Sequence, residues 1–251
     1  MTVHVYTFCW NEMEILPFVV DYWKKYADHV YVYDNGSTDG SIDFLKQYDW
    51  ITVRHFETPG KNNTVMKDMK NKIWKESRGI ADWVVVCDLD ELFVAKDIRK
   101  SLQRVHDDGY SIIYPNWYTF VSETKPVYEE GKMLHDNYPL AQHGPGKVIA
   151  FDPNKIEEIN FTVGSHQWNP KGVVKYYGQD QTGDIYTLHI CNNLGVDYKI
   201  KKYEIAKNRR SQHDIDSKHG MHYTMSQYLI KRDYKNLLNG SINFAELVKP
   251  E

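Results

Sequence analysis

The sequence predicts an α/β domain: a mostly parallel central sheet flanked by helices, with a helical extension at its C-terminal end. Three observations carry this expectation. Short β-rich runs alternate with amphipathic helical stretches through residues 1–95. The run Trp83-Val84-Val85-Val86-Cys87 is apolar at every position, the pattern of a strand buried on both faces. That run stops abruptly at Asp88-Leu89-Asp90-Glu91, and open α/β sheets bind their ligands at such strand ends.

The elements follow in order. Residues 3–8 alternate and are rich in β-formers, so they read as the first strand. Residues 11–27 carry Ile15, Phe18, Val19, Tyr22, Trp23 and Tyr26 at helical spacing. Residues 30–33 form the second strand, followed by a Gly-punctuated turn and a short helix over 41–47. Residues 51–55 are the third strand and 64–77 the third helix, with Val65, Met69, Ile73 and Trp74 or their neighbours facing inward. The buried strand 83–87 comes next, and such alternation implies right-handed crossovers. Beyond residue 110 the pattern loosens. Strands are expected at 111–115, 117–121, 148–151, 173–177 and 185–190, and helices at 197–210 and 225–238. The polar, Gly/Pro-containing stretch 122–146 reads as a functional loop rather than a linker. One domain spans 1–251, divided into 1–110, 111–195 and the extension 196–251.

Composition removes several functional classes. The net charge of −3 gives no global reason to expect a nucleic-acid partner. The three cysteines, Cys9, Cys87 and Cys191, lie singly in or beside apolar runs without CxxC spacing, so neither a disulfide framework nor a zinc site is suggested. Buried free thiols point to a reducing compartment. No signal-like segment opens the chain, and no apolar run reaches the roughly 18 residues of a membrane span. The expected location is the cytoplasm, extending to a membrane surface. The 19 tyrosines and seven tryptophans can wall a sugar site, although core packing is their common fate.

Chemistry concentrates in two strand-end turns. If strand geometry continued, Asp88 and Asp90 would point the same way. Paired carboxylates repel, and a hard divalent cation is their natural partner; the plainer alternative is that they cap a following helix. The second strand runs into Asp34-Asn35-Gly36-Ser37-Thr38-Asp39-Gly40-Ser41. A capped βα turn accounts for Gly36 through Ser41. Asp34, at the strand's end, is placed to accept a hydrogen bond from a nucleobase.

These blocks resemble the GT-A glycosyltransferases of the family-2 type. Tyr31 through Ser41 is similar to that family's second-strand signature, and Tyr6-Thr7-Phe8-Cys9-Trp10-Asn11-Glu12 to its first strand and Asn-Glu turn. Asp88-Leu89-Asp90 falls where the family carries its DxD metal motif. In the C-terminal half, Gly164-Ser165-His166 resembles the G-x-H segment of a bacterial-type branch and Leu188-His189-Ile190 its L-H strand end. Arg209-Arg210-Ser211 and Gly220-Met221-His222-Tyr223 complete that pattern. The T-E-D tripeptide that supplies the base in many inverting relatives is absent.

The resemblance implies transfer of a sugar from a nucleoside diphosphate donor to a hydroxyl of a glycan or lipid-linked glycan acceptor, in glycan or polysaccharide synthesis. It implies a Mn²⁺ or Mg²⁺ ion on Asp88 and Asp90, with His189 as a third ligand. Thr7, Asn11, Glu12, Asp34, Asn71 and Asp88 are then expected to contact the donor, and His166 to serve as the catalytic base. For His189 a structural histidine is the alternative, for His166 an acceptor contact or a structural histidine, and for Asn71 an exposed helical side chain. The basic set Lys199, Lys201, Lys202, Lys207, Arg209 and Arg210 reads as a solvated helix face, with donor-phosphate neutralisation or peripheral membrane contact as alternatives.

Other functions fit less well. A haloacid-dehalogenase-type phosphohydrolase also uses a DxD, but after its first strand and without Glu91-Leu92 following. A nucleotidyltransferase would open with a Gly-rich, basic loop where this chain has Trp10-Asn11-Glu12-Met13. A non-catalytic sugar- or nucleotide-binding module of the same fold is the remaining alternative, and donor hydrolysis separates it from an enzyme.

Overall fold

Strand β1 (Val3–Cys9) is buried at all seven positions, so it must lie inside a sheet covered on both faces. The computed structural model describes residues 1–178 and 183–249 and places it there. β1 pairs in parallel with β2 (His29–Asp34) on one side and β4 (Trp83–Val86) on the other, and β3 (Ile51–His55) extends the sheet beyond β2. Past β4 the sheet continues through β9 (Ala150–Phe151), β6 (Ile112–Ile113) and β12 (Tyr176–Tyr177). The order across its seven strands is β12-β6-β9-β4-β1-β2-β3, with β9 antiparallel to both neighbours. This is the mostly parallel sheet that the sequence predicts.

A second sheet holds five strands in the order β14-β8-β7-β13-β5: β14 (Ile242–Asn243), β8 (Leu140–His143), β7 (Asn116–Phe120), β13 (Tyr186–His189) and β5 (Glu91–Val94). A small pair, β10 (Ile156–Glu158) and β11 (Lys171–Gly172), completes the β structure among the described residues. β5 and the helix after it are absent from the sequence reading, and they matter most. β4 leaves the first sheet through a four-residue acidic turn and enters the second directly as β5. That turn is therefore the junction of the two sheets.

Helix α1 (Leu16–Tyr26) buries Leu16, Val19, Val20, Tyr22, Trp23 and Tyr26 and carries Lys24 and Lys25 in its last turn, where the helix dipole favours cations. It starts later than the expected residue 11 because residues 11–15 form a turn with Asn11 at φ +52°. α2 spans Ser41–Leu45. The expected helix over 64–77 is broken into α3 (Asn63–Lys70) and a 3₁₀ segment at Ile73–Ser77. α4 (Ile98–Asp107), capped by the Asp97 side chain, packs on α1. Residues 122–146, expected as a functional loop, instead hold α5 (Leu134–Asn137) and β8. The Tyr128 hydroxyl of this stretch donates to Asp21 on α1 (2.8 Å), while Pro145 at its end lines the strand-end cleft.

The C-terminal extension contains α6 (Val196–Arg209), α7 (Gln212–Asp216), α8 (Gln227–Asn239) and α9 (Ala245–Val248), with β14 joining the second sheet. It is latched to the first sheet's loops. Lys61 N–H donates to the Arg209 carbonyl (2.8 Å), Ser211 N–H to the Lys61 carbonyl (3.0 Å), and Asn63 Nδ2 to Asp214 (2.5 Å). Gly60 permits this approach: at φ +72°, a Cβ there would sit 2.4 Å from the Arg209 carbonyl oxygen. Among the described residues no helix is long and apolar enough to cross a membrane.

Candidate active site

Two turns at the carboxyl edge of the parallel strands are laced together. Asp34 folds its carboxylate onto its own loop, accepting from Gly36 N–H (3.0 Å), Ser37 N–H (3.2 Å) and the Ser37 hydroxyl (2.5 Å). Ser37 and Ser41 hydroxyls accept from the N–H groups of Asn11 (2.9 Å) and Glu12 (3.0 Å), and Asp39 from Met13 N–H (2.9 Å). Thr38 N–H donates in turn to Asn11 Oδ1 at 2.7 Å. Asn11 and Asp34, both expected on the donor, hold these two turns together through these bonds. Thr7 is fully buried in β1. Asn71 is neither exposed nor in the cleft: its amide clamps Phe161, accepting from the N–H (2.7 Å) and donating to the carbonyl (3.0 Å).

Above these turns lies a cleft of about 620 Å³, and Glu12, Asp88, Asp90, His166 and His189 all line it. Strand geometry does not continue past Val86. Glu91 N–H closes a turn onto the Asp88 carbonyl (3.0 Å), so the two aspartates meet different partners. Asp88 accepts from Lys70 Nζ (2.7 Å) and lies 3.4 Å from Lys147 Nζ. Lys147 also pairs with the buried Glu91. Asp90 Oδ2 sits 3.3 Å from His189 Nε2 and accepts from Cys191 N–H (3.2 Å). The register of β5 on β13 sets Glu91 opposite His189, which brings the histidine to the acidic turn.

The electrostatics follow from these pairs. Burial pushes the Asp88 carboxyl up, but Lys70 and Lys147 outweigh it and hold it well below the usual carboxylate range. Burial acts on Asp90 in the same sense and His189 overcomes it, leaving Asp90 low. Burial would lower His189, yet the Asp90 charge lifts it to about 9. Burial raises Glu12 to about 7 despite Lys202 at 2.7 Å. His166, exposed at the cleft mouth, is lowered by desolvation and then by Lys147.

Among the described residues no group of three or more His, Cys, Asp or Glu side chains forms a metal cage. Asp90 and His189 nonetheless fit as a two-residue holder. Mg²⁺ and Mn²⁺ commonly take one or two protein ligands and complete their shell with substrate phosphates and water. Asp88 is placed differently, engaged by two ammonium groups.

Several site residues escape a reading of the sequence alone. Lys70 shares a face with Met66 and Trp74 at spacings of four, and a lysine on an apolar helix face signals a buried partner. Lys147 opens the apolar run Val148-Ile149-Ala150-Phe151 and carries the same signal. Lys61 and Trp10 also line the cleft. The basic set of α6 is split: Lys202 reaches Glu12, and Arg209 stacks on Trp10 with its guanidinium 3.6 Å from the ring centroid. Lys201 and Lys207 stay outward, so the set is not one solvated face.

The sheet order and a cleft at the carboxyl ends of β1, β2 and β4 define a GT-A sugar-transferase fold. The glycosyl transferase family 2 profile matches residues 5–178, and the chain belongs to that family; it is a glycosyltransferase. Among solved structures, S. aureus TarS 1–349 resembles it at 10% identity, covering 96% of this chain and 71% of that one with a TM-score of 0.44. The same TarS fragment with UDP gives 12% identity, 99% and 81% coverage and a TM-score of 0.43, and with UDP-GlcNAc 10%, 96%, 72% and 0.41. No curated protein matches the chain.

Proposed function

We propose that this enzyme transfers a sugar from a nucleoside diphosphate donor to a hydroxyl of a glycan or lipid-linked glycan, with a divalent cation held at Asp90 and His189. The observation that carries the reading is the Asp90–His189 pair facing Lys61, Lys202 and Arg209 within one strand-end cleft. A departing diphosphate is stabilised by such a mixture of cationic side chains and a metal holder. The bound Mg²⁺ or Mn²⁺ supplies Lewis-acid stabilisation of the departing diphosphate. Lys61 and Arg209 add fixed positive charge where negative charge develops. Lys70 and Lys147 hold Asp88 ionised, free to accept a hydrogen bond from the donor through its solvent-facing edge; its side chain is 39% exposed.

The acceptor enters from the His166 side. His166, kept neutral by its lowered pKa, takes the acceptor proton as the new bond forms. Incubation with a panel of nucleotide sugars, with and without Mn²⁺, tests the whole reading. Metal-dependent release of a nucleoside diphosphate, lost in Asp90→Ala, is the expected result. A fully active enzyme in excess chelator, or a normally active Asp90→Ala variant, contradicts the metal assignment.

A further inference from the structure

Immediately after His189 the backbone does something costly. Cys191 and Asn192, neither of them glycine, adopt φ values of +48° and +59° in succession. The surroundings enforce it. Ile190 N–H donates to the Asp90 carbonyl (2.9 Å) and Cys191 N–H to the Asp90 carboxylate (3.2 Å). On the far side Asn193 is wholly buried: its amide donates to the Phe120 carbonyl (2.8 Å) and accepts from Lys199 Nζ (2.6 Å). Strain maintained from both sides is a mark of function rather than of a loose loop.

Its result is the position of one side chain. Asn192 lines the cleft beside the Asp90–His189 pair, and its amide has no hydrogen-bond partner among the described residues. The parallel register of β13 on β7 sets Thr119 beside His189, and the Thr119 hydroxyl, also without a partner among the described residues, faces the same cleft. Trp117, two residues earlier on β7, is buried behind them, its ring 5.2 Å from that of His189 and covered by the Lys147 ammonium. An amide with two donors and an acceptor beside a free hydroxyl suits a pyranose, whose hydroxyls need polar partners.

We propose that Asn192 and Thr119 form the subsite that reads the hydroxyl pattern of the transferred sugar. The inference rests on the donor reading above: the sugar's anomeric carbon is one bridging oxygen away from the diphosphate that a cation on Asp90 and His189 would neutralise. These two are specificity-determining residues, with no role in the chemical step.

The test uses the full chain. Uridine, guanosine, adenosine, cytidine and thymidine diphosphates are titrated first, to find the nucleotide that binds. The glucose, galactose, N-acetylglucosamine and N-acetylgalactosamine conjugates of that nucleotide are then compared by kcat/KM. The wild-type enzyme is expected to prefer one sugar by about tenfold or more, the scale of a satisfied against an unsatisfied polar contact. Asn192→Gly and Thr119→Val should each erode that preference about tenfold while nucleoside diphosphate affinity stays within about twofold. Glycine accepts a φ of +59° without strain, so Asn192→Gly should melt no lower than wild type, which separates lost contact from lost fold. Preference retained in both variants, no preference in the wild type, or preference lost only together with nucleotide affinity overturns the subsite while the donor reading stands. A wild-type enzyme that binds none of the five nucleotides overturns the donor reading, and the subsite with it.

Discussion

Replacing Lys147 by Met tests how the acidic turn is held together. The Lys147 side chain is 4% exposed and that of Glu91 1%, and their ion pair joins β5 to the stretch before β9. Met keeps the length and apolar stem and removes only the charge. Glu91 is then left buried without its cation, and breaking a buried pair from one side costs about 3–5 kcal/mol. Asp88 adds little to this, because it keeps Lys70 and is partly open to solvent. For a chain of this size each kcal/mol lowers the melting temperature by roughly 2–4 °C, so Lys147→Met should melt roughly 6–20 °C below wild type at pH 7.

The loss should depend on pH. Burial already raises the Glu91 carboxyl, and removing Lys147 raises it further, so the folded state of the variant binds that proton more tightly than the unfolded chain does. Stability relative to wild type therefore falls as pH rises from about 4.3, the unfolded value, through the raised folded value. The deficit should be smaller at pH 5 than at pH 8. Adding Glu91→Gln to Lys147→Met should restore most of the melting temperature, since the glutamine oxygen can still accept from Asp88 N–H as Glu91 does at 3.0 Å. A single variant melting within about 2 °C of wild type, or a double variant no better than the single, would refute the buried-pair reasoning.

Three further outcomes are expected. Metal binding must displace the proton that Asp90 stabilises on His189, so apparent Mn²⁺ affinity should climb with pH up to about 9 and level off above it. That window replaces the one near 6.5 expected of an unperturbed histidine; calorimetric titration across the range checks it, and affinity independent of pH between 6 and 9 counts against the assignment. His166→Ala should lower turnover at saturating metal without changing the metal requirement, and wild-type kcat should fall in acid as His166 protonates below the ordinary histidine value. An unchanged kcat in the variant removes His166 from the chemistry. Asn71→Ala breaks both hydrogen bonds of the Phe161 clamp and should cost about 1–3 kcal/mol in a denaturant titration; a midpoint identical to wild type argues that the clamp is incidental.

The sequence by itself determined the α/β class, the four leading strands, the acidic strand end and the histidine at the end of β13. These are periodic or positional features, and apolar alternation over a few residues fixes them locally. Tertiary structure decided what the acidic turn does. Asp88 meets Lys147 across 59 residues and Asp90 meets His189 only because β5 crosses to the second sheet and pairs with β13. A strand of four residues beginning at the third carboxylate carries too short a pattern to be seen in advance, and without it the two halves of the site have no known relation. The same limit applies to the hydrogen bonds that Asn11, Asp34 and Asn71 make within the chain. A polar residue at a strand end or on a helix looks alike whether it faces a ligand or its own backbone, and only the three-dimensional neighbours tell the two apart. The left-handed backbone at Cys191 and Asn192 is imposed by partners as distant as Asp90 and Phe120, and no local propensity announces it.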